Sequence, residues 1–374
     1  MKPNNPFLIA GYHSPKYFCD RVLESKTMIE ALDNGRDLTL IAPRRMGKTG
    51  LIKNVFYQLR EHKSDVVTLY MDIYSTQNLN DFIRLFGSTV LGALDSTPQK
   101  AMKRVGKFLR TVRPVFTIDE FTNMPKVTID VLPSNDEVSL QELFSYLASS
   151  EKRVYIAIDE FQQIAEYPEK GVEALLRSQI QFLNNVNFIF AGSQQHMMQE
   201  MFFSAKRPFY QSTQTLTIDR VDRREYYDFA VDFFKDAGFV LTSETFEYIY
   251  ECFDGHTWYV QAILNRLYGY RKAPTMELVE EAIREIIAES TYTYESLLAA
   301  YTSGNVRLLK AVAKEGIVTE ITSGEFIAKY RLKAASSVNA SLRKLIDKEL
   351  LYKASNGYIV YDRFMSIWLR EQTY

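Results

Sequence analysis

The sequence predicts an α/β core on an open, mostly parallel sheet, then an all-helical region, then a small carboxy-terminal domain. Three observations predict it. Four short, nearly continuous apolar runs alternate with amphipathic stretches through the first half of the 374 residues. Such runs are expected of parallel strands buried on both faces. Strand-like runs cease after about Val221. Beyond Asn305, three helical stretches precede two β-rich runs joined at Ser355-Asn356-Gly357, and Asn-Gly between such runs is a strong hairpin signal. Three helices followed by a hairpin is the winged-helix order.

The elements follow in chain order. Leu38–Ile41, Val66–Asp72, Val154–Ile158 and Asn187–Gly192 read as strands, and Gln214–Ile218 as a fifth. Gly50–His62 and Val172–Asn184 read as helices between them. Pro114–Leu132 interrupts this rhythm with two extended runs about a turn near Asn123-Met124-Pro125, a hairpin appended to the core. Asp222–Ala237, Ser243–Phe253, Trp258–Arg271 and Met276–Ser290 read as helices punctuated by Gly238, Asp254-Gly255 and Pro274. In the last part, Asn305–Lys314, Ser323–Lys329 with Ser323 as N-cap, and Ala335–Lys348 are helical, and Leu350–Lys353 pairs with Tyr358–Tyr361. The expected division is 1–220 core, 221–294 helical lid and 295–374 winged helix.

Composition narrows the function classes. Lys and Arg number 45 against 46 Asp and Glu, so affinity for nucleic acid requires a local patch. Two distant cysteines, Cys19 and Cys252, build neither a disulfide framework nor a zinc site and fit a reducing, cytoplasmic setting. No apolar run approaches the ~18 residues of a membrane span, and the first residues are too weakly patterned for a signal peptide.

Ala42-Pro43-Arg44-Arg45-Met46-Gly47-Lys48-Thr49 matches G-x-x-x-x-G-K-[ST] except at its first position. A strand precedes it and a helix from Gly50 follows, the context a phosphate loop needs. Gly47 lets backbone N–H groups curl around phosphates, Lys48 reaches the β- and γ-phosphate oxygens, and Thr49 offers its hydroxyl to Mg²⁺. Ala42 is tolerated at the first position if its φ is negative.

Asp-Glu-Phe occurs twice, at 119–121 and at 159–161. A magnesium carboxylate in such a site ends a buried strand beside the phosphate loop. Val154–Ile158 runs straight into Asp159, whereas Thr117 and the hairpin setting disfavour Asp119. Asp159 is therefore expected to orient Mg²⁺ and Glu160 to polarise the attacking water, with Asp119-Glu120 as surface charges. The fourth strand ends at Gly192-Ser193, which places Ser193 where a γ-phosphate sensor belongs; it also suits a helix N-cap.

With these residues in hand, the chain resembles the archaeal-type ATPases of the STAND/AAA-related P-loop group. The resemblance runs over essentially the whole chain: Tyr17-Phe18-Cys19-Asp20-Arg21, Pro43 to Thr49, Ile158 to Gln162, Ala191-Gly192-Ser193, Pro208-Phe209-Tyr210, Gly255-His256-Thr257-Trp258-Tyr259 and Phe364 to Leu369. It implies a P-loop NTPase core with a mostly parallel sheet and helices on both faces, an α-helical lid and a C-terminal winged helix. It implies ATP with Mg²⁺ bound between core and lid, with Tyr17, Phe18 and Arg21 near the adenine and His256 on a lid segment approaching the nucleotide. Two positions depart from the pattern. Gln211-Ser212 stands where the family usually has Gly-Arg, so that turnover is weaker or Arg207 or Arg177 substitutes. Thr257 replaces a usual proline, which alters hinge stiffness.

From Asn305 onward twelve basic side chains face seven acidic ones. Two kinds of partner fit so modest a patch: a protein or intramolecular surface, favoured here, and DNA met by Ser336, Ser337, Asn339, Ser341, Arg343 and Lys344. Phe364, Ile367, Trp368 and Leu369 are expected to lock the wing to the rest of the protein. The reading is an ATP-driven switch that passes its nucleotide state to the winged helix. Its rivals are a nucleotide-stabilised DNA-binding module with little turnover and an adaptor holding nucleotide permanently. A homo-oligomer is compatible with all three. No Asn-Lys-x-Asp guanine motif is present.

Overall fold

The computed structural model describes residues 2–19, 21–94, 107–118, 125–131, 135–354 and 356–372. Asp119-Glu120 and most of the expected hairpin turn lie outside these residues. The chain divides into two compact units: residues 1–229 with 256–258, and residues 230–255 with 259–374.

The first unit is built on a five-stranded, all-parallel sheet. Its strands are β1 (Leu38–Ile41), β2 (Val66–Asp72), β5 (Arg153–Asp159), β6 (Val186–Gly192) and β7 (Gln214–Thr217), in the order β2-β5-β6-β1-β7. Side chains alternate across each strand, and both faces are covered. Tyr155, Ala157, Ile189 and Ala191 face α1 (Val22–Asp33) and α2 (Lys48–His62). Val154, Ile156, Ile158, Phe188 and Phe190 face the other way. They pack with α3 (Leu79–Leu94), α4 (Asp136–Ala148), α5 (Val172–Ile180) and α6 (Gln195–Phe203). Burial on both sides explains why the strands read as unbroken apolar runs.

The interrupting hairpin is present as β3 (Val112–Ile118) paired antiparallel with β4 (Pro125–Val131). It is less of an appendage than expected, because Ile129 and Val131 are buried in the same apolar cluster as α3 and α4.

The second unit holds the latter half of α7 (Arg223–Asp236) and most of α9 (Thr257–Gly269), with α8 (Ser243–Cys252) and α10 (Met276–Ala299). The winged-helix elements share this unit: α11 (Ser303–Glu315), α12 (Gly324–Lys329), α13 (Ala335–Asp347), β8 (Leu351–Ala354), β9 (Gly357–Val360) and α14 (Arg363–Glu371). An isolated bridge, Val318 to Tyr358, adds a third short partner to the β8–β9 hairpin.

α10 runs nine residues past its expected end. The β-branched and aromatic stretch Thr291–Tyr294 is weak in helix propensity, but Tyr294 is buried and meets Trp368 at 5.4 Å. Tertiary packing outweighs the local preference there. The anticipated lock is an aromatic cluster: Phe364 sits edge-on to Phe253 and Tyr259, at 5.1 and 5.2 Å. Phe364, Trp368 and Leu369 are buried, while Ile367 is only half-buried. Among the described residues, no helix is long and apolar enough to cross a membrane.

Candidate active site

The site lies at the carboxyl edge of the sheet, where β1, β5 and β6 end. The loop from β1 to α2 is curled by two left-handed residues, Arg45 (φ 66°) and Gly47 (φ 89°). Gly47 is the residue from which α2 starts, and no side chain caps that helix. Ala42 is not among the residues with positive φ, so the alanine costs nothing there. A non-glycine left-handed residue costs on the order of 1–3 kcal/mol and persists only where its surroundings hold it. The surroundings of Arg45 are visible. Trp258 N donates to its carbonyl at 3.2 Å, and its guanidinium lies 4.2 Å from the Trp258 ring. The Trp258 indole in turn donates to Ile9 O at 2.9 Å. Arg21, 3% exposed and also left-handed, donates to Met46 O at 3.2 Å and pairs with Glu24 at 2.8 Å.

The carboxylates converge on the same loop. The Lys48 ammonium lies 2.8 Å from Asp159 Oδ1 and 3.1 Å from Glu160 Oε1. Thr49 Oγ1 donates to Asp159 Oδ2 at 2.8 Å, and Tyr70 OH donates to the same oxygen at 2.8 Å. Ser193 Oγ donates to Glu160 Oε2 at 2.7 Å, and Arg44 Nε donates to Ser193 Oγ at 3.3 Å. β6 separates β1 from β5, so Ser193 enters between the phosphate loop and the acidic pair.

Electrostatics follow from this packing. Burial opposes ionisation of Asp159, which is 2% exposed. The Lys48 charge and hydrogen bonds from Lys48, Thr49 and Tyr70 outweigh it, holding the carboxyl below its usual range. Glu160 is also held low, with burial opposed by Lys48 and by hydrogen bonds from Gln162 and Ser193. Burial, reinforced by the Asp159 charge, pushes the Tyr70 hydroxyl well up, so it stays a donor. Asp72 is paired in register with Asp159; its carboxyl is raised by burial and by the Asp159 and Glu160 charges.

The sequence-predicted residues are brought together unevenly. Lys48, Thr49, Asp159, Glu160 and Ser193 form one contact network, which Arg44 joins. Pro43 and Met46 complete the loop, and Gly50 lies under Phe18, whose ring would sit 2.9 Å from a Cβ at that position. Tyr17 packs edge-on to His13 at 5.2 Å. Arg21 grips the phosphate-loop backbone, a place the resemblance did not give it. His256 is half-buried and two residues from Trp258, the residue that meets Arg45.

Neither substitute arginine has the expected setting. Burial raises the Asp37 carboxyl, and Arg177 lies near enough to offset part of that rise. Asp37 precedes β1, so this is the opposite edge of the sheet from Lys48. Arg207 is paired with Glu173 at 3.1 Å and Glu200 at 3.4 Å. Gln211-Ser212 itself lies two residues ahead of β7, also at the amino edge. The sequence missed Tyr70, Asp72 and Gln162, because nothing local says that β2 neighbours β5 or which way residue 162 turns.

This geometry defines a nucleotide-binding, phosphate-loop class of ATPase, with a winged-helix region later in the chain. Comparison agrees. Residues 18–263 match the family described as an ATPase domain predominantly from Archaea, and residues 292–371 match a probable winged helix domain. The chain belongs to that ATPase family. Among solved structures, it is similar to a Walker-type ATPase of Pyrococcus abyssi, with TM-score 0.66, 18% identity, and 98% of this chain and 99% of that one covered. The ORC2 protein of Aeropyrum pernix, solved in ADPNP-ADP complexes, is similar at TM-score 0.62 and 16% identity over 99% and 96% of the two chains. The ORC1 protein of Aeropyrum pernix, solved with DNA, follows at TM-score 0.54 and 13% identity over 98% and 96%. A search of curated proteins returned no match.

Proposed function

We propose that the protein is a Mg²⁺-dependent ATPase that works as a molecular switch. One observation carries the reading: the Lys48 ammonium, the Thr49 hydroxyl and the Asp159 and Glu160 carboxylates meet within 3.1 Å contacts at an uncapped helix start. ATP and Mg²⁺ fit these residues. Thr49 and Asp159 are the hard oxygen donors Mg²⁺ takes, and the open start of α2 suits phosphate. When bound, Mg²⁺ offsets charge on the β- and γ-phosphate oxygens.

The protein's own residues do the rest. Lys48 exchanges its carboxylate partners for phosphate oxygens. Glu160, freed of that cation, orients water as general base. Ser193, between loop and carboxylate, reports on the γ-phosphate. Tyr17, Phe18 and His256 are assigned to the adenine side, and Arg21 to holding the loop. Nucleotide state reaches the winged helix along α9, whose first turn touches Arg45, and a protein partner reads it. The locale is the cytoplasm, as the two cysteines, far apart in sequence, suggest. Gln211-Ser212 supports slow turnover, since a second copy would bring the same two residues and no arginine there.

The test is ATP hydrolysis by the purified protein beside Glu160→Gln, with and without duplex DNA. Turnover lost in the variant supports the reading; equal rates overturn it. A second reading, a DNA-binding module with little turnover, is favoured by the basic excess beyond Asn305 and by the DNA-bound relative. Salt-dependent DNA affinity without turnover would select it.

A further inference from the structure

The Glu160 carboxylate is held by more than the cation beside it. Gln162, 3% exposed, lies two residues on in the 3-10 turn Phe161–Glu166. Its amide nitrogen donates to Glu160 Oε2 at 2.5 Å, the oxygen that also accepts from Ser193 at 2.7 Å. Oε1 faces only Lys48 among these groups, at 3.1 Å. The two oxygens are therefore chemically unlike. Oε2 is occupied by two neutral donors, and Oε1 by a cation that substrate phosphate draws away.

Gln162 is itself fixed in place. Glu160 is left-handed (φ 56°), which turns the chain so that residue 162 comes back over its carboxylate. A Cβ at Gly192 would lie 2.4 Å from Gln162 Oε1 and 2.5 Å from Met198 Sδ, so only bare backbone fits behind the amide. Oε1 of Gln162 is buried with no hydrogen-bond partner. Flipping the amide would satisfy nothing there and would set a carbonyl against a carboxylate. The unpartnered carbonyl is tolerated because the amide must point at Glu160.

We propose that Gln162 is a positioning residue: with Ser193 it clamps Glu160 Oε2 and leaves Oε1 as the oxygen that receives the proton of the attacking water. In that step water gives its proton to Oε1 while its oxygen bonds the γ-phosphorus. The bond from that phosphorus to the bridging oxygen breaks, and its electron pair leaves with ADP. The inference rests on the ATPase reading of the site.

Gln162→Met tests it, since methionine fills a similar volume without a donor. Wild type, Gln162→Met and Glu160→Gln are compared for kcat, KM and the dissociation constant of Mg-ATP, and crystal structures of the first two are solved. Loss of a positioning contact is expected to lower kcat by about 10- to 100-fold, with KM and affinity kept and the Glu160 carboxylate turned away from Ser193. Unchanged kcat overturns the clamp, as does a parallel fall in kcat and affinity. If wild type turns over no faster than Glu160→Gln, the ATPase reading fails. The clamp is then judged on the structures alone, and a Glu160 carboxylate unmoved in Gln162→Met sinks it.

Discussion

The helices of the two units begin differently. In the second unit, α8, α10, α11, α12 and α14 each start at a residue whose side chain accepts from the backbone N–H three residues on: Thr242, Thr275, Thr302, Ser323 and Asp362. In the first unit, α1, α2 and α5 start at left-handed residues, Arg21, Gly47 and Gly171, with no side-chain cap. A capped helix satisfies its first N–H groups with its own atoms and is closed there. An uncapped start leaves those groups and the positive end of the dipole for another partner. The second unit is thus finished as a scaffold, whereas the first keeps an opening at the phosphate loop. Each unit has an exception: α13 starts at Ala334 without a cap, and α3 follows Asn78, whose Oδ1 accepts from Asp81 N at 2.8 Å.

The largest effect should come from the first unit. Glu160→Gln is expected to cut turnover by about 10²- to 10⁴-fold, the range of general-base catalysis. Nucleotide affinity should hold, and phosphate release against titration calorimetry separates the two. Lys48→Ala removes the cation that meets the phosphate; truncating one partner of a buried charge pair across an interface costs roughly 2–5 kcal/mol, so Mg-ATP affinity should fall by about 30-fold or more. Affinity at the wild-type value would remove Lys48 from the site.

Gly47→Ala sharpens the comparison. A left-handed alanine is strained by on the order of 1–3 kcal/mol, and its Cβ sits where phosphate approaches. Affinity should drop more than melting temperature does; the reverse would make Gly47 merely a helix start. Asp362→Ala is the counterpart in the second unit. Loss of a cap costs about 0.5–2 kcal/mol, seen in denaturant unfolding, with Mg-ATP affinity untouched. If affinity changed as well, the two units would not be separable in this way.

The smallest effect concerns pH. The folded carboxyls of Asp159 and Glu160 are held below their ordinary values. Their contribution to stability is therefore full above the unfolded values near ~4. It is lost as pH falls through the lower, folded ones. Without nucleotide or metal, thermal stability should decline below about pH 4, and Asp159→Asn should flatten that decline.

Legibility in the sequence followed the distance between partners along the chain. The phosphate loop spans eight consecutive residues whose backbone makes the site, so the motif and its flanking strand and helix were readable together. Asp159 and Glu160 were readable because five apolar residues run into them. Ser193 was placed by the end of its strand. The Tyr70 bond to Asp159 joins residues 89 apart, and Arg21 meets Met46 across 25; no local pattern marks either. Gln162 was close in sequence yet missed, because its role depends on the left-handed turn at Glu160 and the missing side chain at Gly192.

The parallel core, the helical stretch, the winged-helix order and the five polar groups of the candidate site were legible before any fold was in hand. Each of these depends on periodicity, turn chemistry or contiguous backbone, which are local. The strand order that puts β6 between β1 and β5, the extension of α10 by the packing of Tyr294, and the placing of Arg177 and Gln211-Ser212 at the opposite edge from Lys48 emerged from long-range packing. Those outcomes depend on which surfaces meet once both faces of the sheet are covered, and no stretch of chain encodes its partner in advance.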